Sequence, residues 1–168
     1  MKKFTLRHEI NCNAEQFWKV FFDKDFNHTL FREELQFPEY ETLEQSENDS
    51  EIRRRVRGVP KMNMPGPVKK LLGDRFGYEE EGTFDRKSGV WRWKMKANTM
   101  TDKLRNEGTV KVEPIDDKKC RRIAEIEMEA KVFGLGGVIE SSSESEMRRG
   151  WETSAVFMNK WLKDHPPA

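Results

Sequence analysis

Two cysteines and three histidines are all that this chain of 168 residues carries of the usual metal and redox ligands. Cys12 and Cys120 stand far apart and form no CxxC pattern, which excludes a disulfide framework and indicates a reducing, cytoplasmic setting. His8, His28 and His165 are isolated, with no HxxxH spacing, so no metal site is expected. Charge of one sign is also missing. The formal net charge is +1, which leaves no global field to steer the chain onto nucleic acid. No apolar run approaches the ~20 residues of a membrane span. Met1-Lys2-Lys3 begins like a signal peptide, but Arg7, His8 and Glu9 interrupt before an apolar stretch can form, so none is read.

Signatures of cofactor and nucleophile chemistry are absent too. Gly134-Leu135-Gly136-Gly137 lacks the lysine and serine of a P-loop and the spacing of a dinucleotide fingerprint. It reads as a tight turn into a helix. Ser141-Ser142-Ser143 has no paired base nearby, so no catalytic residue and no cofactor are assigned.

Bulky aromatics are present instead. Only 35% of residues are hydrophobic and 36% are charged, yet there are five Trp and eleven Phe, so the apolar content is concentrated in large side chains. A chain of this length favours one domain, taken as residues 1–168, and buries roughly 70% of its unfolded surface.

The order of elements follows from periodicity. Residues 3–10 alternate as a half-buried strand. Asn13 with Gln16 makes a near capping box for a helix bearing Phe17, Val20 and Phe21, and Asp25 is positioned to cap a second short helix. Alternation then marks strands at 37–46, 51–59, 78–86, 90–98, 108–113 and 120–132. Pro60, Pro65, Gly66 and Pro67 interrupt them before the short amphipathic turn 68–72. Residues 136–163 contain no proline and carry Val138, Ile139, Met147, Trp151, Ala155, Met158 and Leu162 at helical spacing, a helix of roughly 40 Å. An antiparallel sheet with one apolar face needs a cover, and this helix is the one element large enough.

This order resembles the helix-grip fold of the START-like (Bet v 1-like, SRPBCC) superfamily: an α+β domain whose curved antiparallel sheet of about seven strands wraps a long C-terminal helix, with two short helices after the first strand. "VPKMNMPGPVKKLLG" (59–73) and "FGLGGVIESSSESEMRRGWETSAVFMNKWL" (133–162) are similar to a bacterial branch of it, and the second segment also resembles the helix start of PRELI-like lipid carriers. The resemblance implies a cavity between sheet and helix for an apolar ligand, and a gate formed by residues 62–73, with Met62, Met64, Leu71 and Leu72 as its apolar members.

The inward face of the alternations names the candidate wall. Tyr78, Phe84, Trp91, Trp93, Met95, Ile126 and Met128 fall on it, and Val138 and Ser142 of the helix face it. They are either a packed core or the lining of a ligand cavity. The same alternations turn four polar residues inward: His8, Arg54, Glu80 and Arg122. They either pair near a sheet end or receive a ligand headgroup, with Arg54 and Arg122 as the anion-facing candidates. His8 with Tyr78 or Glu80 would be the acid/base suspects of a polyketide cyclase or aromatase, provided they meet. Arg53, Arg55 and Arg57, with Lys61, Lys69 and Lys70, form the strongest basic patch. It is either a solvated edge paired to glutamates or a weak contact with an anionic membrane surface. No aromatic platform interleaves these arginines, so nucleic acid is not expected. The function expected is binding, or transport, of a hydrophobic small molecule or lipid. The alternatives are a cyclase-like enzyme or a protein-interaction module without ligand.

Overall fold

A computed structural model describes residues 1–166. The first strand, β1 (Lys2–Ile10), leads into helix α1 (Ala14–Phe21), where the Asn13 side chain accepts a hydrogen bond from the Gln16 amide at 2.9 Å. Helix α2 (Lys24–Thr29) is capped by Asp23, whose carboxylate accepts from the Phe26 amide at 2.8 Å. Asp25, the expected cap, lies inside the first turn: Asp23 has the extended backbone a cap requires and stands three residues before a free amide. A π-helical turn (Leu30–Glu34) follows and buries Leu30.

The rest of the chain is β2 (Glu39–Glu47), β3 (Glu51–Val59), the short helix α3 (Gly66–Leu72), β4 (Tyr78–Asp85), β5 (Val90–Ala97), β6 (Leu104–Asp116), β7 (Lys119–Ala130) and the 29-residue helix α4 (Gly136–Asp164). The seven strands make one antiparallel sheet in the order β1-β7-β6-β5-β4-β3-β2. β1 and β2 are therefore its opposite edges, and α1, α2 and the π-helical turn carry the chain from one to the other. β6 starts at Leu104, four residues before the alternation became legible at Gly108.

Cross-strand register stacks the inward residues into rows. Leu6, Ala124, Val110, Trp91, Phe84 and Ile52 form one; Met128, Asn106, Met95, Glu80 and Val56 form another, nearer the α3 end. The first row meets α1. Trp18, Phe21 and Phe22 pack there against Phe84 and Trp91, with Trp18 and Phe84 4.3 Å apart between ring centroids, and Phe17 packs behind Trp18 and Phe21. Gly82 and Gly108 make this packing possible. A Cβ on Gly82 would fall 2.1 Å from the Trp91 ring, and one on Gly108 2.3 Å from the Glu125 carbonyl and 2.9 Å from the Trp93 ring.

Helix α4 packs on β1, β7 and the π-helical turn, on one side of the sheet's hollow. At the other end, Val68 and Leu72 of α3 join Ala130 and Ile139 in a second, smaller apolar cluster, supported by Met62 and Met64. No helix among the described residues is long and apolar enough to cross a membrane.

Candidate functional site

Where α4 leans toward β1 and β7, the inner face of β3 to β6 is left partly uncovered. The result is a cavity of about 600 Å³, within the range of small-molecule sites. Its wall includes Tyr78, Trp91, Trp93, Met95 and Met128 of the sheet, and its α3 end includes Met62, Met64 and Leu72. Arg54, Glu80 and Arg122 line it as well.

Several expected wall residues lie elsewhere. Phe84 and Ile126 are buried in the packed cluster rather than beside the cavity. Val138 is 43% exposed, and Ser143, not Ser142, reaches the lining. The helix presents Ile139, Ser143, Met147, Gly150, Ser154 and Met158, a stripe with three- and four-residue steps. Val138 and Ser142 sit one residue, about 100°, off that stripe. Leu71 of α3 is partly exposed and outside the lining, because the i, i+4 pair Val68 and Leu72 takes the buried face.

His8 is also outside the cavity, behind Arg122. Its Nε2–H donates to Glu152 Oε2 at 2.8 Å, and its Nδ1 accepts from Arg122 Nη2 at 3.1 Å. Burial, and then the nearby guanidinium, push its pKa below the ordinary value. Arg122 further donates to Ser154 Oγ at 2.9 Å and the Trp151 carbonyl at 2.8 Å, and its cation lies 4.7 Å over the Trp151 ring. Burial lowers the Arg122 pKa to about 9. This cluster ties β1, β7 and α4 together. The suspected acid/base meeting of His8 with Tyr78 or Glu80 does not form, because the imidazole is turned to Glu152 and Arg122.

The second polar group sits on β2, β3 and β4. Arg54 donates through Nη1 to the Phe21 carbonyl at 2.8 Å and lies over the rings of Phe21, Trp91 and Phe22 at 4.7, 5.0 and 5.3 Å. Glu80 feels Arg54 through space, but neither a hydrogen bond nor an ion pair joins them. Burial raises its carboxyl pKa and Arg54 only partly offsets that. Tyr78 and Tyr40 adjoin Glu80; burial raises both phenols, Tyr40 to about 12, so both are neutral donors. Four buried side-chain polar atoms lack a hydrogen-bond partner among the described residues: Arg54 Nε, Trp93 Nε1, Asn106 Oδ1 and Arg122 Nε. All four belong to residues lining this one cavity. The Asn106 amide nitrogen makes do with weak contacts to the sulfurs of Met95 and Met147, 3.5 Å each.

Tyr40, Asn106 and Met147 are lining residues that the pattern reading did not assign to the site. Tyr40 sits in a glutamate-rich edge strand whose alternation is broken by a register shift between Thr42 and Glu44. Asn106 precedes the legible part of β6. Met147 was visible as part of the apolar stripe of α4.

The basic strand has a different fate. Arg57 pairs with Glu41 at 2.9 Å, Arg55 lies 3.8 Å from Glu44 and 3.7 Å from Glu79, and Arg53 lies 3.3 Å from Glu51. These arginines cover the outer face of the sheet, and exposed pairs of this kind are each worth under about 1 kcal/mol. Cys12 and Cys120, distant in sequence, are neighbours in the fold, and both are buried and free.

A curved seven-stranded antiparallel sheet, a long C-terminal helix against its hollow face, and a partly apolar cavity between them define the helix-grip fold. The chain belongs to the family described as "Protein of unknown function (DUF2505)", whose model matches residues 5–162. No curated protein matches it by sequence. Among solved structures it is similar to the Zhui aromatase/cyclase from Streptomyces sp. R1128, with a TM-score of 0.71 and 12% identity over 99% of this chain and 96% of that one. It is also similar to norcoclaurine synthase from Thalictrum flavum in complex with dopamine and hydroxybenzaldehyde (TM-score 0.67, 13% identity, 99% and 89% covered). A START superfamily protein from Mycobacterium smegmatis is similar as well (TM-score 0.61, 11% identity, 96% and 97% covered). These likenesses establish the fold.

Proposed function

We propose that this protein binds, and hands on, a hydrophobic small molecule or lipid in the cavity between sheet and α4. One observation carries the reading: every buried side-chain polar atom left without a partner among the described residues belongs to a residue that lines a single cavity of about 600 Å³. A packed core would have no reason to gather its unmet hydrogen bonds around one space. The apolar body of the ligand would replace water against Trp91, Trp93, Met95, Met128 and Met147, and its polar end would face Arg54. Met62, Met64 and Leu72 would form the movable side of the mouth, with Leu71 outside it.

Native mass spectrometry of the protein purified from its own host tests this. A retained species of a few hundred daltons is expected; protein that carries no such mass and binds no apolar probe would refute it. Arg54→Gln should weaken binding of an anionic amphiphile more than Arg122→Gln does, because Ser154, Trp151 and His8 already occupy Arg122. Free thiols fit a cytoplasmic setting. Contact with an anionic membrane would run through the α3 end, where Lys69, Lys70 and Leu71 are exposed, rather than through the glutamate-paired arginines of β3. Vesicle co-sedimentation that Lys69→Glu with Lys70→Glu leaves unchanged would exclude it.

A further inference from the structure

Glu80 and Arg54 are placed in a way that a purely apolar pocket does not require. Both turn inward on neighbouring strands, where Glu80 lies opposite Val56 and Arg54 opposite Gly82, so they are diagonal neighbours. Opposite charges in a dry interior stabilise one another best in direct contact. These two interact through space yet remain unbonded, and both line the cavity.

We propose that Glu80 is a built-in competitor for Arg54, so that an apolar carboxylic acid binds here as its anion together with one proton, which Glu80 takes up. This inference rests on the cavity being a ligand site, as proposed above. In the exchange, the ligand carboxylate accepts hydrogen bonds from the Arg54 guanidinium, Glu80 gains a proton from solvent, and no bond to carbon forms or breaks. Two carboxylates sharing one guanidinium in a low-dielectric space cannot both stay ionised, and the more deeply buried one gives way. Burial already favours the neutral form of Glu80, and Arg54 is the one nearby charge that opposes it. Once protonated, Glu80 offers an O–H donor to the bound anion. Tyr40 and Tyr78 stay neutral across the same pH range, so they add donors and no titration.

Other charged groups face the cavity from elsewhere. Arg122 on β7 is engaged by Ser154, Trp151 and His8. Glu146 and Arg149 on α4 pair with each other at 2.5 Å, and Lys61 near the mouth bonds to Gln36 at 2.8 Å. Glu34 of the π-helical turn, Arg105 of β6, Glu129 of β7 and Glu140 of α4 border the same space. None of them contributes to the shift at Glu80, which leaves Arg54 and the ligand as the partners in question.

The test is isothermal titration calorimetry of the full chain with decanoate and with decan-1-ol between about pH 5.5 and 8. Decanoate affinity should fall as pH rises, by up to about tenfold per unit, which is the limit for one linked proton. The binding enthalpy in buffers of different ionisation heat should report net proton uptake that rises toward one proton at the alkaline end, where Glu80 is ionised in the free protein. Decan-1-ol should show neither effect, and it controls for titration of His8 in the same range. Glu80→Gln should flatten the decanoate profile and tighten decanoate binding at the alkaline end by roughly tenfold or more. A decanoate profile that is flat in the unaltered protein, one that decan-1-ol reproduces, or a Glu80→Gln variant that binds decanoate no better would each overturn the proposal. The proton count needs no variant, so a count near zero overturns the proposal even if Glu80→Gln folds poorly; decane-1-sulfonate, which stays ionised throughout this range, should show the same uptake, and a sulfonate that binds without it would place the proton on the ligand and overturn the proposal. If decan-1-ol and an uncharged fluorescent probe bind but decanoate does not, the proton-linked exchange fails alone. If nothing apolar binds, the cavity reading fails with it.

Discussion

The filled and the open end of the space between the sheet and its helices treat a glycine in opposite ways. At the α1 end, Gly82 and Gly108 lie under the rings of Trp91 and Trp93 with no room for another atom. At the cavity, the nearest atom to a Cβ placed on Gly150 of α4 is Leu35 Cδ2, 3.9 Å away. One end is filled by six aromatic rings from α1, β4 and β5. The other keeps methionines, an asparagine, a carboxyl and a guanidinium around open space, with Trp91 and Trp93 as the wall that both ends share. The difference teaches that stability and binding are divided along the sheet: the first end supplies apolar burial, and the second leaves groups that gain by meeting a guest.

That division can be broken most forcefully at Trp91. Trp91→Ala should lose about 3–5 kcal/mol in urea unfolding, whereas Met147→Ala, cut from the wall of an existing void, should lose clearly less. Gly82→Ala comes next. It forces the Trp91 ring aside and should destabilise by about 1–3 kcal/mol. Gly150→Ala should do the reverse and stabilise by up to about 1 kcal/mol, since it improves helix propensity without a clash. Opposite signs at these two glycines would sharpen the comparison; destabilisation at both would erase it.

Smaller effects come from pH. His8 has a pKa below its ordinary value of about 6.5. The unfolded chain therefore takes up a proton first as the solution is acidified. The contribution of His8 is full above about pH 6.5 and is lost as pH falls toward the folded value. His8→Asn should flatten that part of the profile. Glu80 has the opposite sign: its folded pKa is raised, so its contribution is favourable in acid and is lost as pH rises through the folded value. Glu80→Gln should accordingly raise the melting temperature at neutral pH and have little effect near pH 4.

Much of the fold was legible because strands and the long helix write their period plainly. Trp91, Trp93 and Met95 alternate with Arg92, Lys94 and Lys96, and the structure turns the first set inward. Arg54, Glu80 and Arg122 could be placed inside by the same rule, since a strand leaves a side chain one of two faces. What periodicity could not supply was the third dimension. It could not tell that α4 leans toward β1 and β7, which decides that Ile126 is packed while Met128 borders a void. Nor could it fix the helix rotation, and one residue of phase separates Ser142 from Ser143. The mistaken cap at Asp25 has the same origin, because two aspartates two positions apart differ only in backbone conformation.

Cys120 sits where edge strand β1 meets β7, opposite Ile10, and Cys12 is two residues past the end of β1; both are buried. An alkylating reagent can reach them only when the seam parts. The rate of labelling then counts how often the first strand peels away from the sheet, and it allows the breathing of the filled end to be timed with and without a guest in the other.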